Sequence, residues 1–145
     1  MVNLNVNIQG KFSTLIQKGC LAMAYAYRYA QDQNYPNLKD FGAADLILCL
    51  LKGWNEGYIE DNGYVAKPVK YLNMISNFKK PCRDISKVFI NSLSELPDGD
   101  WVVEYVDGAK THFVVANRNK IVFDPSYPSL TCAKGHVFSY RKLIF

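Results

Sequence analysis

Two apolar rhythms divide this chain. As far as about residue 80 the apolar positions recur at helical spacing; from Pro97 they alternate or run on as strands do. The first strong segment, Cys20-Leu21-Ala22-Met23-Ala24-Tyr25-Ala26-Tyr27, is too apolar for a surface helix. Ala22, Ala24, Ala26 and Ala30 are spread around its wheel, so neighbours can approach from several sides. The spacing predicts a helix from Cys20 to about Gln31, then a loop at Asn34-Tyr35-Pro36-Asn37. A second helix is expected from near Asp40, an N-cap residue, towards Trp54, with Ala43, Leu46, Leu50 and Trp54 on one face. Gly57 and Asn62-Gly63 mark an irregular connection. Pro68 then reads as the first residue of a third helix with Val69, Leu72 and Ile75 as its buried stripe. Ahead of all this, Leu4, Val6 and Ile8 alternate weakly, as in a short edge strand or an extended arm, and residues 11–18 form a connection or helical turn.

Residues 83–96 fit two patterns. Ile85, Val88, Phe89 and Leu93 suit a helix, while Val88 and Ile90 suit a strand, and the reading leans to helix or mixed. Beyond the Pro97-Asp98-Gly99 turn the strands are plainer: Trp101 to Val106, Thr111 to Ala116 and Lys120 to Asp124. Asp107-Gly108 and Asn117-Arg118-Asn119 are the turns between them, and a last strand lies around His136 to Tyr140. Helices followed by an antiparallel meander define an α+β protein. Residues 1–145 hold no internal repeat or linker, so a single domain is expected.

Composition narrows the function classes. The net charge is +4, and no basic run exceeds Lys79-Lys80, so a nucleic-acid partner is not expected. No apolar stretch approaches the ~18 residues of a membrane span, and Met1 to Asn7 lacks the charged start and apolar block of a signal peptide. A cytoplasmic location without membrane partners is the expectation. Cys20, Cys49, Cys82 and Cys132 lie far apart with no C-x-x-C pair. That spacing argues against a zinc knuckle and, in a reducing compartment, against structural disulfides, so neither metal nor cofactor is expected.

Cys20 stands where its helix begins. Unpaired backbone N–H groups and the positive end of the helix dipole favour negative charge there, as a thiol nucleophile requires. The hairpin downstream supplies the partners. If Asn117-Arg118-Asn119 is a three-residue loop, Ala116 faces Lys120, Val114 faces Val122 and His112 falls opposite Asp124. Opposed side chains have Cβ atoms about 5 Å apart, within reach of an imidazole–carboxylate hydrogen bond. Phe113, Val115, Ile121 and Phe123 then form the other, buried face. A slip of one residue would separate His112 from Asp124. Taken alone, the pair could be an ordinary cross-strand ion pair. Beside Cys20 it reads as a nucleophile, a base and an orienting carboxylate, in the order Cys…His…Asp.

That order, on a helix-first and sheet-second layout, resembles the papain-like cysteine peptidases. The likeness rests on Gly19-Cys20-Leu21-Ala22-Met23-Ala24 and on Thr111-His112-Phe113-Val114-Val115 followed by Ile121-Val122-Phe123-Asp124-Pro125. It is nearest to compact bacterial branches, the bacteriocin-processing double-glycine peptidases and the cell-wall peptidases, and fits a bacterial or phage family within the superfamily. The resemblance implies a papain-like fold, Cys20 as nucleophile, His112 as general base and acid, Asp124 as the orienting residue, and a peptide or amide substrate. It also implies an oxyanion donor ahead of the cysteine. Gln17 is the nearest candidate but stands closer to Cys20 than the family's glutamine does. Thr14 occupies the family's spacing, and Gln9 could reach in from the N-terminal arm. Gly19 replaces the aspartate that often precedes the cysteine in the bacterial branches.

The expected function is therefore a cysteine peptidase or amidase working through an acyl-enzyme, with acyl transfer to an amine as a related outcome. A binding module on the same scaffold, without catalysis, is the alternative. The remaining candidates have plainer expected roles. Cys49 is inert core, Cys82 and Cys132 are free surface thiols in loops, and His136 is a solvated strand end. Trp54 and Trp101 are core residues. The segment 55–80 is expected to wall a cleft, with Tyr58, Tyr64 and Tyr71 available to it.

Overall fold

A computed structural model describes residues 14–15, 17–30, 42–76, 81–126 and 129–145. The expected N-terminal strand, the loop at Asn34 to Asn37 and the Asp40 cap lie outside these residues. The architecture is α+β. Helix α1 (Cys20–Tyr25) continues without a break into a π-helical turn, Ala26–Ala30, and is followed by α2 (Ala43–Asn55) and α3 (Pro68–Ser76). Strands β1 (Asp84–Phe89), β2 (Trp101–Asp107), β3 (Lys110–Ala116), β4 (Ile121–Phe123) and β5 (His136–Ile144) make a sheet in the order β1-β5-β2-β3-β4. Every pairing in it is antiparallel. A short helix, α4 (Leu130–Lys134), sits between β4 and β5. Among the described residues no helix is long and apolar enough to cross a membrane.

The alanines of α1 explain its place at the centre. Ala22, Ala24, Ala26 and Ala30 are all buried, and their small side chains let α2, α3 and the sheet close around one helix. Leu50 of α2 is buried there, with Leu46 and Trp54 packed beside it on the expected face. Helix α3 begins at Pro68 as expected and buries Leu72 and Ile75, while Val69 is only half-buried. It also buries Tyr71, whose hydroxyl donates to the Ala22 carbonyl at 2.9 Å. Tyr71 is therefore a strut against α1 and not a cleft wall.

Residues 83–96 are corrected by the sheet. They form strand β1, then a 3₁₀ turn at Leu93–Glu95. The deciding force is pairing with β5, in register from Asp84 opposite Ile144 to Phe89 opposite Ser139. Local spacing could not reveal a partner so far downstream. The same pairing lengthens β5 beyond Tyr140, because it must serve both β1 and β2.

The buried face of the hairpin is corrected too, since both faces of the sheet are covered. Val102 and Val115 join the helical core, with Phe113 and Phe123 packed against it. Val103, Tyr105, Val114 and Ala116 on the opposite face form a second core with Ile90, Leu96, Val137 and Tyr140, and Ile121 packs with this second group. On the helical face Glu104 is buried without being orphaned. It accepts from the Ser139 hydroxyl at 2.7 Å and pairs with Lys87 at 3.2 Å and Arg141 at 3.6 Å.

Two glycines set the backbone immediately before Cys20. A Cβ on Gly19 would lie 2.5 Å from the Leu15 carbonyl oxygen and 3.3 Å from Leu50, so only glycine fits this close approach. Gly63 has a φ of +84°, and a Cβ there would lie 2.7 Å from the Lys18 backbone. The 59–65 loop thus braces the entry to α1. Gly63→Ala should lower the unfolding free energy by about 1–3 kcal/mol from the backbone conformation, with the clash adding to it. Gly57→Ala, also at positive φ but facing open space, should cost only ~1 kcal/mol. Denaturant unfolding of both variants checks the order.

Candidate active site

The β3–β4 hairpin brings His112 and Asp124 together by a different path from a three-residue loop. Ala116 pairs with Ile121, so the turn holds Asn117 to Lys120. Asn117 closes it, donating from its N–H to the Lys120 carbonyl and accepting at Oδ1 from the N–H groups of Asn119 and Lys120. That extra residue alone would move Asp124 to the wrong face. The register then shifts again, with Val115 opposite Phe123, so Val122 is left over as a bulge. Two single-residue shifts restore the parity. His112 Nε2 lies 2.6 Å from Asp124 Oδ1, and the Ser126 N–H fixes the same oxygen at 2.9 Å. Their side chains are only 8% and 5% exposed, so water competes weakly for the bond.

Cys20 completes the arrangement from the helical side. It is half-buried, directly follows the buried Gly19, and lies close enough to His112 to act on the pKa of its imidazole. With Nε2 engaged by Asp124, Nδ1 is the ring nitrogen left for the sulfur. Gly19, at the N-cap of α1, makes no side-chain cap bond. Tyr27 stacks on Phe123 at 4.1 Å and 5°, which ties the helix carrying Cys20 to the residue just before Asp124. Burial pulls the His112 pKa down. Interactions with Cys20 and with the hydrogen-bonded Asp124 outweigh it, and the net position is above the usual 6.5.

Two further residues stand in this centre that the sequence reading did not place there. Cys132 was expected as a surface thiol, yet it is half-buried on α4 and packs on the second core. Its sulfur, a His112 ring nitrogen and an Asp124 oxygen all lie within 4.8 Å of one another. Burial raises its pKa, the hydrogen bond with Ser129 lowers it, and the charges of Asp124 and Cys20 raise it further. Tyr105 is directly opposite His112 in the register. Burial and then the charges of Cys132 and Asp124 push its phenol up to about 12. The signals available were Ser129, which caps α4 by accepting from the Cys132 N–H, and Gly135. A Cβ on Gly135 would collide with the Val106 carbonyl, so glycine lets α4 lie against the end of β2.

Gln17 lies in the helical turn before Gly19 and is exposed, as is Thr14. Among the described residues no hydrogen bond joins Gln17 to Cys20, and Gln9 lies outside them. Cys82, also expected at the surface, is buried; its thiol donates to the Asp84 carbonyl and its backbone pairs with Asn73. Cys49 is half-buried, and burial above all holds its thiol at about 11. His136 is exposed at the start of β5. Trp54 and Trp101 are partly buried against the two cores. Tyr58 packs partly on the helical core, and Tyr64 is exposed. A cavity beside Asp124 lies on the hairpin side. It measures about 590 Å³ and is lined by Ile121, Val122, Phe123, Asp124, Ser129, Cys132 and Ala133, so its walls are mostly apolar.

The chain is thus an α+β protein with an imidazole hydrogen-bonded to a carboxylate, a thiol near the imidazole, and a cavity beside the carboxylate. Residues 37–145 match the family model described as "Protein of unknown function, DUF261", and the chain belongs to that family. The match includes His112, Asp124 and Cys132 and begins after Cys20. No curated protein and no solved structure matches the chain.

Because His112 sits above its ordinary pKa, its stabilising contribution is full below about pH 6.5 and is lost as pH rises through the folded value. Asp124→Asn removes a cause of the upward shift. Imidazole NMR titration should show a lower His112 midpoint in that variant. The stability advantage of the wild type over the variant should be greatest near pH 6 and shrink towards pH 8.

Proposed function

We propose that this protein is a cysteine hydrolase of papain-like architecture, cleaving an amide bond through an acyl-enzyme. The observation that carries the reading is His112, hydrogen-bonded to Asp124 and with Cys20 close enough to act on the same imidazole. Asp124 fixes the ring and stabilises the imidazolium, as an orienting carboxylate does. In the proposed reaction Cys20 Sγ attacks the carbonyl carbon while His112 takes the thiol proton. The tetrahedral oxyanion is held by the first N–H groups of α1, including that of Cys20 itself. Gln17, exposed and unlinked to Cys20, is not assigned to this task. His112 then gives its proton to the departing amine, and a thioester remains. Water, deprotonated by His112, releases the acid and restores the thiol. An amine in place of water would give acyl transfer.

The cavity suggests the kind of substrate. Its Ile121, Val122 and Phe123 wall adjoins Asp124, so a peptide or amide with an apolar side chain beside the scissile bond suits it.

A peptide-library assay and a cell-wall digestion assay, each run on wild type, Cys20→Ala and His112→Ala, test the reading. Hydrolysis by the wild type should fall by about 10²–10⁴-fold or more in both variants. Activity that persists in Cys20→Ala would remove the thiol from the chemistry. Inactivity of a correctly folded wild type in both assays would favour the binding-module alternative.

A further inference from the structure

We propose that His112, Asp124 and Cys132 form a binding site for a soft divalent metal ion of the zinc class, and that its occupancy disables the imidazole. Three donors of the types zinc prefers converge here: an imidazole nitrogen, a carboxylate oxygen and a sulfur, all within 4.8 Å of one another. They come from β3, the end of β4 and α4, so three separate elements hold them. Among the described residues both hydrogen bonds to Asp124 fall on Oδ1, which leaves Oδ2 able to turn to a metal.

Supporting contacts already orient two of the three donors. The Ser126 N–H holds the Asp124 carboxylate, and Ser129 caps the turn that presents Cys132. Asp124 and Cys132 both line the 590 Å³ cavity, which provides an entry path. Three protein ligands leave the fourth tetrahedral position for water. On binding, the metal takes the place of the proton between His112 Nε2 and Asp124, that proton is relocated to Nδ1 through solvent, and Cys132 loses its thiol proton to solvent. The metal site rests on geometry alone. Its consequence for activity rests on the proposed hydrolase reading, because an imidazole that binds the ion through Nε2 carries its proton on Nδ1 and can no longer take one from Cys20.

Binding is best measured in Cys20→Ala protein, where the proposed nucleophile cannot contribute. Titration with Co²⁺ should give one equivalent of four-coordinate ion with thiolate-to-cobalt charge-transfer absorption, and Zn²⁺ should displace it. Cys132→Ser in this background should abolish the charge-transfer band. It should also weaken Zn²⁺ by more than the ~10–100-fold that loss of a supporting partner costs. Cys49→Ser should change neither. Zn²⁺ should also protect Cys132 from alkylation in intact protein. Unchanged affinity in Cys132→Ser, or a cobalt spectrum without the thiolate band, would overturn the site. Because these readouts need no turnover, a failed metal site and a failed hydrolase reading are separately visible. In active wild type, Zn²⁺ should inhibit, and Cys132→Ser should relieve that inhibition.

Discussion

The hydrogen bond between His112 and Asp124 is the constraint on which the rest of the centre depends. It is short, nearly closed to water, and made by two side chains that local sequence keeps twelve residues apart. Its existence requires the β3–β4 connection to preserve side-chain parity. A four-residue turn breaks that parity and the Val122 bulge restores it. Neither irregularity could be lost alone without turning Asp124 away from His112. Bulges beside functional sites commonly re-aim a side chain in this way.

The helices serve that centre from the other side. A run of buried alanines allows α1 to be surrounded, and Gly19 and Gly63 allow the backbone before Cys20 to be pressed between Leu15, Leu50 and the 59–65 loop. Tyr71 fastens the first turn of α1, and the Tyr27–Phe123 stack links that helix to the hairpin. Cys20 and His112 are thus placed by packing and not by a flexible loop, the kind of support that the proposed nucleophile and base would require.

Much of this was legible in the sequence, though for uneven reasons. The helices around Leu50 and Leu72 and the strands β2 and β3 carry clear local periodicity, which fixed neither their partners nor the full length of β5. Strand β1 was read as helix or mixed because Ile85 and Val88 suit both, and only pairing with β5 decides between them. The meeting of His112 with Asp124 was anticipated with the wrong loop length. It survived because two shifts of one residue cancel. Cys132 was missed because its position depends on the close approach of Gly135 to Val106, a contact that no spacing encodes. Cys82 was misplaced for a similar reason, since its burial depends on Asn73 bridging to its backbone.

The most direct measurement is the rate at which iodoacetamide alkylates Cys20, followed by mass spectrometry across pH in the wild type and in His112→Ala. If His112 is the base for this thiol, Cys20 should react faster than Cys49 and Cys82 near neutral pH. That advantage should fall by at least about tenfold in His112→Ala. Equal reactivity of Cys20 in the two proteins, with the fold intact, would contradict the coupling of thiol, imidazole and carboxylate.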